Sequence, residues 1–267
     1  MTGIERYGAE WSHDELVLAL FLYFQVPIQT ARASNPDVQR LARLINRTPN
    51  AVTLKLANFG ALDPKLAAEG IGGMRNFSQA DRQVWEEFYG QWARLADESE
   101  RLLAEHSATA VLDSDRATAD LQHNPDPIIM PAGPSERPGI IDVRVVQSFF
   151  RRAVLASYRR ACCVCGLDLP KLLVASHIKP WKNANEGERA DPQNGLCLCA
   201  IHDRAFDAGF LSFSKELRVM IRTSILASKQ AFIKTSLADF HGREMHLPIR
   251  FPPREEFLKW HRENVFS

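Results

Sequence analysis

The chain has 267 residues, 45% of them hydrophobic and 24% charged, which is enough apolar material for a packed core in one or two domains. That composition excludes a wholly disordered chain, a collagen-like repeat and a disulfide scaffold. The formal net charge is +1, from 33 basic and 32 acidic side chains, and as a total it argues against a strongly basic nucleic-acid-binding protein.

The opening MTGIERYGAEW has no basic stretch followed by an apolar core, so no secretory signal is expected. The most apolar run, Leu16 to Phe24, is far shorter than the roughly 18–20 residues a membrane helix needs. The expectation is a cytoplasmic protein with no membrane partner. Ser12-His-Asp-Glu15 has the capping-box pattern and predicts a core helix that ends before Pro27. Residues 37–46 place Val38, Leu41, Ala42, Leu44 and Ile45 at helical spacing. Thr48 suits an N-cap and Pro49 a first helical residue, so a second helix is predicted over 49–59. The pair has the shape of a helix-turn-helix unit. Gly70, Gly72 and Gly73 break the chain, and Ser78-Gln-Ala-Asp81 opens one long helix expected over 79–106.

Between about 110 and 140 the periodicity stops in a proline-rich stretch that reads as a linker. A helix restarts at Asp142 and runs to about 160. Beyond it lie a Cys/His segment, a basic segment around 211–235 and the tail HLPIRFPPREEFLKWHRENVFS. The expected organisation is a helical module at 1–112, a linker at 113–140 and a second domain at 141–267. Counted by these parts, net charge is −3, −3 and +7. The neutral total therefore averages an acidic front with a basic back, and such asymmetry is itself a nucleic-acid signal.

All five cysteines, Cys162, Cys163, Cys165, Cys197 and Cys199, fall in one short window. An odd number in a reducing compartment points to metal rather than disulfides. Cys162-x-x-Cys165-Gly has zinc-knuckle spacing, and Cys199-x-x-His202 supplies a second pair. Together they make a Cys3His set for a structural zinc. Cys163 and Cys197 stand as substitutes, although Cys163-Val-Cys165 is the poorer chelate; buried free thiols are the bland alternative. Val174 to Ile178 reads as a short strand ahead of Pro180. Asn194-Gly195 favours a hairpin-type turn, with Leu196 to Cys199 as the second strand. A helix to Asp207 then puts Asp203 and Asp207 on one face.

The run C-x-x-C, SHIKPW, NGLCLC and HDRAFDAG resembles the HNH endonuclease family, of ββα-metal fold. The likeness covers about 162–210. The tail resembles an extension found in one subgroup, and LARLINRTPNAVTLKLANFGALDP is similar to a module often joined to it. The implied fold class is α+β: a helical N-terminal domain, with a helix-turn-helix shape, followed by a zinc-stabilised ββα-metal nuclease domain. The resemblance implies that His177 is the general base, that Asn194 fixes its loop, and that Asp203 stands where the last His of the motif stands. Ser176 replaces the Asp that often precedes the first His. A carboxylate remains a good ligand for magnesium, so Asp203, with Asn194 or Asp207, is expected to hold a catalytic Mg²⁺ or Mn²⁺. Lys179, Lys182, Arg189 and Arg204 flank the motifs as phosphate contacts.

The expected partner is DNA, the expected reaction metal-dependent hydrolysis of its phosphodiester bonds, and the expected setting restriction or defence against foreign or modified DNA. The N-terminal unit has two readings: Asn50, Thr53, Lys55 and Asn58 present to DNA, or the helices form a plain bundle or dimerisation module. A homodimer would suit a double-strand break. Two rival functions stand beside these: a zinc-bearing DNA-binding module that does not cut, and a nuclease that fragments host DNA.

Overall fold

The computed structural model of the chain describes residues 9–70, 76–113 and 138–266, the side chains at 107–113 and 138–143 excepted. Most of the expected linker lies outside the described residues, as do Gly72 and Gly73.

The first half is helical: α1 (His13–Gln25), α2 (Pro36–Leu44), α3 (Pro49–Leu62), α4 (Pro64–Ala68), α5 (Gln79–Phe88) and α6 (Trp92–Asp113). Helix starts follow the caps written in the sequence. Ser12 and Glu15 close a capping box on α1, Asn35 caps α2 ahead of Pro36, Thr48 caps α3 ahead of Pro49, and Ser78 and Asp81 box α5. Helix α1 is buried on nearly every side, from Leu16 through Phe24, and forms the axis of the first core. Asn46, in the left-handed region at φ 52°, turns the chain between α2 and α3. This is a residue type that tolerates that conformation.

The long helix expected over 79–106 is two helices. Gly90, at φ 85°, breaks it. The turn swings Trp92 onto Phe24, ring centroids 5.0 Å apart and edge to face.

Helix α7 (Pro138–Ser157) joins the two halves. Phe149 and Ala153 enter the first core, whereas Phe150 and Val154 enter a second. The second core is built on β1 (Leu173–His177), α8 (Glu186–Ala190), β2 (Gly195–Cys199) and α9 (Ala200–Asp207). After them come β3 (Leu211–Phe213), β4 (Val219–Ile221), α10 (Thr223–Leu226), α11 (Ala231–Ser236) and α12 (Glu255–Asn264). Strands β1 and β2 pair antiparallel with Leu173 opposite Cys199 and His177 opposite Gly195, and β3 pairs with β4. Among the described residues the chain is thus mixed: mostly helical, with two small antiparallel sheets.

The tail closes over both halves. Arg250 is buried; it donates to the Tyr23 carbonyl at 2.6 Å and the Val26 carbonyl at 2.8 Å, and its guanidinium lies 4.6 Å from the Tyr23 ring centroid. It thereby satisfies carbonyls at the end of α1 that have no partner within the helix. On α12, His261 stacks on Phe206 at 3.6 Å and donates from Nε2 to the Phe206 carbonyl. Burial lowers its pKa to about 4, so it packs as a neutral ring.

Candidate active site and metal centre

His177 ends β1, half-buried. Its ring stacks on Phe150 of α7, 3.7 Å between centroids and 5° from parallel, with Trp181 edge-on at 5.7 Å. Nε2 lies 3.0 Å from the Arg189 carbonyl oxygen. A carbonyl only accepts, so Nε2 carries the proton and Nδ1 keeps the lone pair. Burial lowers the pKa below the ordinary 6.5, against the opposing pull of that carbonyl. His177 is therefore a neutral, oriented imidazole near pH 7.

The loop that carries this carbonyl is pinned by Asn194, which is fully buried. Its Oδ1 accepts from the Lys179 amide at 2.8 Å, and Nδ2 donates to the Lys179 and Glu188 carbonyls, each at 3.1 Å. The Ile178 amide donates to the Asn194 carbonyl at 2.9 Å. Both ends of the 178–189 loop thus hang on one side chain. Gly195 follows in ordinary extended conformation, φ −126°, and begins β2 directly. The expected Asn-Gly hairpin turn is therefore absent: a long loop containing α8 joins the strands. Glycine is required at 195 for packing, since a Cβ there would sit 2.3 Å from Val154 Cγ2 and 2.9 Å from Phe150 Cζ.

Helix α9 packs behind the hairpin. Its Asp203 is half-buried near the Ser176 hydroxyl. Burial raises the Asp203 pKa above 3.8, and the charge of Asp207 one turn on raises it further. Asp207 is also raised by burial, against the attraction of Arg204. Asp203 and Asp207 thus stand one turn apart on α9, the second exposed.

Where β2 passes into α9, one ligand atom from each of Cys162, Cys165, Cys199 and His202 lies within 4.8 Å of the others. Cys199 Sγ is 3.1 Å from His202 Nδ1, Cys162 Sγ is 3.5 Å from the same atom, and Cys165 Sγ is 4.0 Å from Cys199 Sγ. A tetrahedral zinc with its usual bond lengths spaces such atoms about 3.5–3.8 Å apart, so the donor set fits. His202 Nε2 donates to the Ser236 carbonyl at 2.9 Å, which leaves Nδ1 for the metal. The interaction between the Cys162 and Cys199 sulfurs holds Cys199 far below its ordinary value of 9 and pushes Cys162 up. Gly166, at φ 74°, lets the knuckle close with its amide on the Cys162 carbonyl at 2.9 Å. Cys163 and Cys197 are buried outside this group.

Residues 162–214 match the model of a family described as HNH endonuclease. This segment is an HNH nuclease domain. Among solved structures, a modification dependent TagI restriction endonuclease is similar at 19% identity and a TM-score of 0.29, over 44% of this chain and 38% of that one. The chain thus spans well under half the length of that protein. Curated proteins give no match. Among the described residues, no helix is long and apolar enough to cross a membrane.

Around the HNH domain the expected phosphate contacts divide. Lys182 and Arg204 are exposed. Lys179 is half-buried with its ammonium on Glu188 at 2.7 Å, and Arg189 lies over the Trp181 ring with Nε donating to the Trp181 carbonyl. In the helical half, Asn50 is exposed, while the Thr53 hydroxyl bonds back to the Pro49 carbonyl at 2.9 Å. Lys55 is not on a DNA-facing surface. It is buried, its Nζ 2.6 Å from Asp81 and 5.0 Å from the Trp11 ring centroid. Asn58 donates to the same carboxylate at 3.1 Å. Asp81 is fully buried, so Lys55 and Asn58 serve it rather than a nucleic acid.

Sequence reasoning missed Phe150, the Arg189 and Ser236 carbonyls, and Asp191. Asp191 is buried, caps the turn before Asn194 through the Gln193 amide at 3.0 Å, and pairs with Arg254 at 3.1 Å. Carbonyl roles leave no side-chain signal. Phe150 was visible only as one more apolar residue on an amphipathic helix.

Proposed function

We propose that the protein is a metal-dependent endonuclease that hydrolyses phosphodiester bonds of DNA. The carrying observation is His177: neutral, ring-stacked, with Nε2–H committed to the Arg189 carbonyl and Nδ1 free to accept a proton. In this reading Nδ1 takes a proton from the attacking water. Asn194 acts as a positioning residue by holding the loop that bears Arg189. Asp203 and Asp207 would hold a divalent cation, Mg²⁺ or Mn²⁺; when bound it neutralises charge on the phosphate and the leaving 3′ oxygen. The Cys162, Cys165, Cys199 and His202 group holds a structural zinc, which supplies the rigidity that so small a hairpin cannot draw from burial. Lys182 and Arg204 contact flanking phosphates, and Asn50, exposed on α3, is open to DNA.

The same reading places the protein in the cytoplasm, in restriction or defence, with 1–112 selecting the target, 113–140 as linker and 141–267 cutting. A dimer would give double-strand breaks. The test is cleavage of plasmid DNA, modified and unmodified, with Mg²⁺ or Mn²⁺. Wild type is expected to cut and His177→Ala to lose at least about 100-fold in rate. A wild type that binds DNA but cuts none of it replaces this reading with that of a zinc-bearing binding module.

A further inference from the structure

We infer that an arginine-lined groove between α2 and α7 holds the phosphate backbone of duplex DNA beside the cutting site. The inference rests on the DNA-endonuclease reading and extends it to a surface outside the HNH motif.

The groove is a cavity of about 660 Å³ walled by the end of α1, the start of α2 and one side of α7. Five arginines line it, Arg40, Arg151, Arg152, Arg159 and Arg160, against one carboxylate, Asp37. Two are already ordered by the fold: Arg151 donates to the Leu173 carbonyl at 3.1 Å and Arg152 to Gln25 at 3.4 Å. A concave, net-positive wall of guanidiniums is matched to phosphate oxygens, which they grip in a planar fork. It reads no base edges, so it positions rather than selects.

The backbone gives a second, independent indication. Arg159 and Arg160 follow α7 at φ 54° and 56°, in the left-handed region that disfavours side chains and suits glycine. Two successive strained positions carry arginine, and both side chains line the groove. Such strain gathers where a site needs it.

Position completes the argument. The helical half is net acidic, so any DNA contact it makes must run through a local patch. Arg40 belongs to α2, the first helix of the helix-turn-helix unit, which in such units crosses the phosphate backbone. At the other edge, Leu173 lines the groove and begins β1, which ends at His177. That strand spans about 13 Å, roughly four base-pair rises. A duplex cut at His177 brings phosphates a few steps away to the arginines.

The test is binding of a labelled DNA duplex by the full chain, with Ca²⁺ in place of Mg²⁺, across a salt series. The combined variant Arg40→Gln, Arg159→Gln, Arg160→Gln alters only exposed residues, and its thermal melt should match wild type. It should bind about tenfold or more weaker at physiological salt, with the slope of log K against log salt reduced by about 3. The matching triple lysine variant should regain most of the slope. Unchanged affinity and slope in the glutamine variant overturn the groove, even if wild type cuts DNA. If the groove variant weakens binding while wild type cuts nothing, the groove stands and the nuclease reading falls. A wild type that does not bind duplex overturns both.

Discussion

Replacing Asn194 by alanine strips three backbone groups of their partner at once: the Lys179 amide, the Lys179 carbonyl and the Glu188 carbonyl. Each bond contributes about 1 kcal/mol net, and a buried group left unpaired costs about 1–3 kcal/mol. The Glu188 and Lys179 groups are half-buried, so water reaches some of them, and the total should fall near 3 kcal/mol. The catalytic loss follows a different route. The loop released by the change bears the Arg189 carbonyl that orients His177, and a misplacement of about 1 Å costs on the order of 100-fold in rate. Urea unfolding should therefore show a midpoint shift equivalent to about 3 kcal/mol at unchanged slope. Plasmid cleavage below the unfolding range should show a comparable loss to that of His177→Ala. Asn194→Asp keeps the acceptor for the Lys179 amide but turns a carboxylate oxygen toward two carbonyls, so it should be at least as damaging. If Asn194→Ala keeps its stability to within about 0.5 kcal/mol and cuts normally, the loop is held by something else and the positioning role is wrong.

Three further outcomes follow from the same geometry. Purified protein should contain about one zinc per chain, and Cys199→Ser should lose both the metal and the cooperative melt; a metal-free protein with wild-type stability would remove the structural zinc. In the proposed mechanism the active form of His177 is neutral, and burial lowers its pKa, so protonation should inactivate it only below pH 6.5. The acid limb of kcat at saturating cation should lie below that value, and a limb above it would point to another base. Lys55→Ala leaves the Asp81 carboxylate buried without its cation, a loss of about 3–5 kcal/mol; if it instead weakens DNA binding with stability unchanged, Lys55 faces the nucleic acid after all.

What was legible in the sequence was what is local in the chain. Ser12, Asn35, Thr48 and Ser78 cap the helices that follow them within three residues. The Cys/His pairs at i, i+3 come together as a cluster because a knuckle and a helix start each need only a few residues. What was illegible is set by distant neighbours. Phe88, Trp92 and Leu95 keep helical spacing straight across Gly90, so apolar period alone runs through the break. Lys55 looked like a surface cation on an amphipathic helix until Asp81 was placed beneath it. Gly195 looked like a turn glycine, whereas it is small because Val154 and Phe150 of α7 press against it.

That pressure also explains why the HNH hairpin needs the rest of the chain. Helix α7 supplies Phe150 to stack on His177 while its Phe149 is spent in the helical core. The 190–194 segment carries Ala190 into that same core, and Asp191 beside it pairs with Arg254 of the tail before the chain reaches Asn194. Arg250 then ties the tail to the last carbonyls of α1. The orientation of His177 is thus fixed through a chain of contacts that begins in the helical half: Ala190 in its core, Asp191 to the turn at 192–194, Asn194 to the loop, Arg189 to His177. Removing the helical half would expose Phe149 and Phe251, leave the Arg250 guanidinium without its carbonyls and free one end of that chain. Zinc would still hold the knuckle, but the loop that aims His177 would have lost its outer anchor.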